Sequence, residues 1–225
     1  MCFSAQASFT TAAGLSVMGL LSLYAAKKNR TLLPLAASPL FFAVQQACEG
    51  IVWITLNAGD STSLLHWIGV YGFTSFAALC WPIWIPLALY LPEKVHRRKK
   101  LLLITTYIGA FSAVLLFSSW VLQTTGAHVL NHHIDYPVDN YPFGITNVLL
   151  GRAITWIIDL AYCIAVIGSF FISSMHYTWL AGIVVMIAFA TSSIFYYATF
   201  GSVWCFFAAL SSALLYVVVK SYDRT

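Results

Sequence analysis

The sequence predicts an all-α polytopic membrane protein, a single domain of seven transmembrane helices, and three observations carry that prediction. Hydrophobic residues make up 60% of the 225 positions and charged residues 8%, whereas a soluble domain devotes roughly a quarter of its residues to charge. So few charges cannot cover a water-facing surface. The apolar residues fall in seven runs of membrane-crossing length, since about 20 residues at ~1.5 Å rise span the ~30 Å hydrocarbon layer. Finally, the basic residues gather between alternate runs, as they do when those connections share one face of a membrane.

The runs are delimited by their interruptions. The first covers 5–26 and stops at "KKNR"; with no basic segment before it and no small-residue cleavage pattern, it reads as a retained helix rather than a signal peptide. The second covers 31–56 and ends in "NAGDSTS". The third, 64–91, contains "CWPIWIP", where Pro82 and Pro86 each remove a helical N–H and predict a kink near the middle of the membrane. The fourth is 101–122 and the fifth 145–172. "SSMHY" separates the latter from the sixth, 178–197, and the seventh is 202–219.

Lys27, Lys28, Arg30, Lys94, Arg97, Arg98, Lys99, Lys100, Lys220 and Arg224 are ten of the eleven Lys and Arg residues, and seven crossings put all ten on one side. The positive-inside rule makes that side cytoplasmic, with the amino terminus outside. The net charge of +4 is then a matter of topology, and nucleic acid is not an expected partner. The expected partners are the bilayer and a small-molecule or lipid ligand; nothing in the sequence gives the oligomeric state.

Ionisable residues inside a membrane are costly and mark functional sites. Glu49 lies in the outer half of the second helix, with Gln45 and Gln46 four and three residues before it on roughly one face. Arg152 and Asp159 are seven residues apart on the fifth helix, and so share a face. They are expected to support the site as a pair, the alternative being that these charges only hold helices together. Three of the six histidines fall in "HVLNHHIDYP". A helical turn would align His128 with His132, and an extended segment would align His133 with Asp135. Either pair could join Glu49 as metal ligands, and three protein ligands with one open position suit catalytic zinc. Cys2 and Cys205 belong to the same outer face as thiolate ligands, a disulfide or free thiols. Trp53, Tyr136 and Trp204 are candidate ligand contacts there, with interfacial anchoring the alternative for the tryptophans.

Several classes are disfavoured. The seventh helix has no mid-membrane lysine for a retinal Schiff base, no histidine pair is clearly placed for a haem, and no GxSxG signature is present. "MCFSAQASF", "QQACEGIVW", "HHIDY" and "SVWCFFAA" together resemble a family of small, functionally uncharacterised bacterial membrane proteins that begin with MCFS. The resemblance implies a bacterial inner-membrane location and favours His133 among the loop histidines; it names no reaction. The expected function is an outward-facing polar pocket binding a transition metal, zinc foremost, or a small ligand. As an enzyme it would be a metal-assisted hydrolase at the outer leaflet, with Glu49 and His133 moving protons. The alternative is a receptor, sensor or carrier using the same pocket.

Overall fold

The computed structural model describes residues 4–138, 145 and 147–222. Among them, seven helical spans are long and apolar enough to cross a membrane: Ala5–Ala26, Arg30–Asn57, Leu64–Tyr90, His96–Val121, Val148–Ile172, Thr178–Phe195 and Tyr197–Tyr222. Spans adjacent in sequence pack side by side, and span seven closes the ring against spans one and two. Polar residues start four of them. Ser4 accepts from the Ala7 N–H, Asn29 from Thr31, Ser63 from His66 and Asn147 from Leu150, so each satisfies a donor that the first helical turn leaves open.

Span four begins at His96 rather than Leu101, because lysine and arginine are good helix formers and the helix runs on past its apolar stretch. At that end, which carries Lys27, Lys28, Arg30, Lys94, Arg97, Arg98, Lys99, Lys100 and Lys220, two connections are tied together. Glu93 is buried and accepts from the Ser174 N–H and hydroxyl at 2.7 and 2.5 Å and from the Val95 N–H at 2.9 Å. Burial would raise its carboxyl, but these donors and the Ser173 hydroxyl outweigh it and hold Glu93 below the usual carboxylate range.

The expected kink in span three takes the form of a π-turn over Phe76–Cys80, immediately before Pro82. The Trp81 N–H bonds the Phe76 carbonyl five residues back, which leaves the Ala77 carbonyl without its usual donor. The Tyr162 hydroxyl of span five donates to it at 2.9 Å. The π-turns of spans four and five, Phe117–Val121 and Ile164–Gly168, follow the same pattern. Gln123 Nε2 donates to the Ser118 carbonyl at 2.9 Å, and Ser169 Oγ to the Ala165 carbonyl at 2.6 Å. Where the helical ladder skips a residue, a side chain supplies the missing donor, as a medium without water requires.

A second consequence of the prolines lies further along. Pro86 has no N–H, so the Pro82 carbonyl lacks its helical partner. Span four crosses there with Gly109, so close that a Cβ on Gly109 would stand 1.7 Å from that oxygen.

The buried side chains form two clusters. The larger, toward the basic end, includes Leu35, Trp81, Leu89, Phe170 and Trp204. The smaller, at the opposite end, joins Val52, Trp53, Phe73 and Val203 to two residues of the histidine loop, Ile134 and Tyr136.

Candidate functional site

The histidine loop is an antiparallel hairpin of β1, His128–Leu130, and β2, His133–Asp135, with His128 opposite Asp135 and Leu130 opposite His133. Asn131 and His132 form its two-residue turn, at φ 49° and 64°. Positive φ at both central residues matches the twist of paired strands. The helical alignment of His128 with His132 is therefore not realised: His132 is exposed at the tip and His128 is exposed on β1. The extended alignment of His133 with Asp135 is the one formed. Between them Ile134 points inward and is fully buried. His133 is half-buried and meets the Tyr196 ring edge to face at 4.9 Å. Burial, reinforced by neighbouring positive charge such as that of His132, keeps its imidazole below the usual histidine range. Burial raises the Asp135 carboxyl.

Tyr136 follows the hairpin into the bundle. Its ring stacks on Phe73 at 4.7 Å and 8°, and its carbonyl accepts from the Trp120 indole at 3.2 Å. Burial pushes its hydroxyl well above the ordinary phenol range, and the nearby Glu49 carboxyl adds to the effect. The phenol thus comes down on the Glu49 cluster from the hairpin side.

Glu49 is fully buried. Its Oε1 accepts from the Ser202 hydroxyl of span seven, and its Oε2 has no partner among the described residues. Gln46, one turn earlier, is fully buried with its amide beside the Glu49 carboxyl, and among the described residues neither amide atom makes a well-formed hydrogen bond. The Tyr136 hydroxyl and the Trp53 indole N–H are also buried without partners among the described residues. Gln45 differs, because its Oε1 accepts from the Trp81 indole at 2.7 Å and its Nε2 reaches the Phe73 carbonyl at 3.5 Å. Cys205, one turn beyond Ser202, carries a buried free thiol within electrostatic reach of Glu49 and beside Gln45.

The structure therefore gathers Glu49, Gln45, Gln46, Tyr136 and Cys205 from the expected set. Trp53 and Trp204 are buried rather than facing lipid, so interfacial anchoring does not apply to either. Trp204 is packed among Tyr162, Phe189 and Phe200, each with its ring centre at 5.3 Å, and its N–H has no partner among the described residues. Arg152 and Asp159 are exposed on the outside of span five, away from this cluster. Cys2 lies outside the described residues. Among those described, no three His, Cys, Asp or Glu side chains come together as a metal site.

Two contributors escaped the sequence reading. Ser202 is the small polar residue one turn before Cys205 in "GSVWC", the only local sign of its role. Trp81 gave no sign, since only the tertiary fold brings its indole to Gln45. His66, by contrast, is a satisfied core histidine, with its Nδ1 2.8 Å from the Thr55 hydroxyl.

An unpaired acceptor on Glu49, both atoms of an amide, a phenol and an indole N–H make a cluster equipped to bond a small polar group from several sides. Each such atom costs about 1–3 kcal/mol while it stays unmade.

No curated protein and no solved structure matches the chain. A family model matches it from end to end, over residues 1–225, and the chain belongs to that family, the family of unknown function DUF6629.

Proposed function

We propose that the protein is a membrane receptor or carrier that binds a small polar ligand in the buried cluster of Glu49, Gln46 and Tyr136. One observation carries this reading: the fully buried Glu49 has one carboxyl oxygen bonded to Ser202, and among the described residues the other makes no well-formed hydrogen bond, with only the Gln46 amide beside the carboxyl. A buried carboxyl with an under-bonded oxygen, inside a helical bundle, is a standing demand for a donor. Gln46, Trp53 and Tyr136, whose buried polar atoms also lack a well-formed bond among the described residues, extend that demand to a set that can orient one ligand. Of the two ligand classes the sequence suggested, the small molecule is favoured over zinc, because the residues around Glu49 supply mostly amide, phenol and indole groups, and among the described residues no third His, Cys, Asp or Glu joins Glu49 and Cys205.

The basic connections support an orientation with the amino terminus outside and the carboxyl terminus cytoplasmic. On that reading the hairpin faces outward and the cluster is approached from outside, in the inner membrane of a bacterium.

The test uses purified protein in lipid nanodiscs with butylamine, butanol and butyrate as probes, read by thermal shift. Butylamine or butanol should stabilise the wild type, and Glu49→Gln should remove most of that shift. Equal shifts in wild type and Glu49→Gln with all three probes would falsify the reading.

A further inference from the structure

Below the Glu49 cluster, on the side away from the hairpin, a cleft runs down among spans two, three, five, six and seven. Its walls include Trp81, Ile85, Tyr162, Val185 and Leu215, and its lining is almost entirely apolar. Counting the open space at its mouth, it contains about 500 Å³ between atoms, of which about 30 Å³ is wide enough for a water molecule, so a hydrocarbon chain enters it only as the side chains of its walls part. Trp204 and Cys205 form its upper end. From Cys205 to Leu215 is ten residues, so the cleft descends about 15 Å along span seven.

Three features set this cleft apart from a packing defect. It is continuous with the polar cluster, because Cys205 lines the cleft and lies within reach of Glu49 and Gln45. Two of its walls carry π-turns, which concentrate at functional sites: Trp81 follows the turn in span three, and Val166 lies within the turn in span five. The buried Trp204, whose indole N–H has no partner among the described residues, lines it.

A polar cluster at the head of an apolar channel has the shape and chemistry of an amphiphile. We infer that the ligand is a single-chain amphiphile with its hydrocarbon chain in the cleft and a non-anionic, hydrogen-bond-donating head, an amine or hydroxyl, against Glu49. Charge complementarity decides the head: a phosphate or carboxylate would face the Glu49 carboxyl with no cationic side chain bonded to it among the described residues. The alignment matches a lipid of the leaflet on the hairpin side, with its head toward the hairpin and its chain toward the membrane middle. The inference rests on the ligand-binding reading of Glu49 and adds the class of ligand.

The test compares two dodecyl chains ending in a photoreactive diazirine, one headed by an amine and one by a carboxylate, with the whole protein in nanodiscs. Labelled peptides are mapped by mass spectrometry. The amine probe should label the segments carrying Val185, Ala208 and Leu215 about fivefold more than the carboxylate probe, a ratio equivalent to ~1 kcal/mol. Unlabelled dodecylamine should compete this labelling away, and Glu49→Gln should reduce it to the carboxylate level. Label confined to lipid-facing residues such as Tyr107 and Ile187, or equal labelling by both heads, overturns the inference. Short butylamine keeps the two readings separable: a Glu49-dependent butylamine shift without cleft labelling refutes the chain site and leaves the head site standing, whereas loss of both refutes both.

Discussion

The Tyr162 hydroxyl reaches from span five to donate to the Ala77 carbonyl of span three at 2.9 Å. That carbonyl is open because the π-turn beside Pro82 diverted its helical donor, so the bond repairs a break made by sequence in another helix. Tyr162 also lines the apolar cleft, and the repair fixes two of the cleft walls relative to each other.

Tyr162→Phe keeps the ring and removes only that donor. It should destabilise the protein by ~1 kcal/mol, the order found for single interhelical bonds in membranes. Reversible unfolding in mixed micelles measures this. A change within ±0.2 kcal/mol of zero, less than the low end of a typical hydrogen bond at ~0.5 kcal/mol, would mean the carbonyl finds another donor.

Ser202→Ala and Tyr136→Phe should move stability in opposite directions. Removing the Ser202 hydroxyl strips Glu49 of its one bonded oxygen and should cost ~1–3 kcal/mol. Tyr136→Phe removes a buried hydroxyl that has no partner among the described residues, so the unliganded protein should be unchanged or more stable while probe binding weakens. Thermal unfolding of both variants, with and without butylamine, distinguishes a ligand contact from a structural tyrosine: a loss of more than ~1 kcal/mol in unliganded Tyr136→Phe would make it structural.

Acidification should loosen the basic end through Glu93. Its folded carboxyl sits below the usual range, so its contribution to stability is fully present above the unfolded value of about 4.3. It is lost as pH falls below that value through the folded one. Melting temperatures measured from pH 7 down to pH 3 should fall most steeply at the acid end, and Glu93→Gln should flatten that limb. An unchanged limb in the variant would assign the acid sensitivity to other carboxyls.

Gly109→Ala should be among the most damaging single-methyl additions, at ~3 kcal/mol or more, the upper range for overpacking. The atom in the way is the backbone oxygen of Pro82, which no rotamer change can clear. Gly14→Ala is the control, because nothing lies within 4 Å of the added methyl. It should be neutral or stabilise by up to ~1 kcal/mol through helix propensity. Equal effects would mean that spans three and four part easily.

The spans were legible because hydropathy acts over twenty residues at a time, and a bilayer leaves the backbone little choice but helix. The polar set on span two was legible too, since glutamates and glutamines stand out against an apolar run. The histidine loop was harder. Helical and extended alignments of "HVLNHHIDYP" both suited metal ligation, and the choice was made by a turn at Asn131 and His132 and by the burial of Ile134. Neither has a strong local signature, as the turn carries no glycine, the residue that most plainly marks positive φ. Arg152 and Asp159 share a helical face as their spacing requires, but spacing cannot tell which way that face points. Ser202 and Trp81 were invisible because what they bond lies more than thirty residues away.

The contact between Gly109 and the Pro82 carbonyl bears on motion as well as stability. Helices that slide past one another need side chains between them to act as bearings, and here backbone meets backbone. Spans three and four are therefore braked against each other at that level and should travel as one body. Any rearrangement that admits a ligand then falls to spans six and seven, whose cleft-facing walls at Ala181, Val185 and Ala208 are built from small and medium side chains.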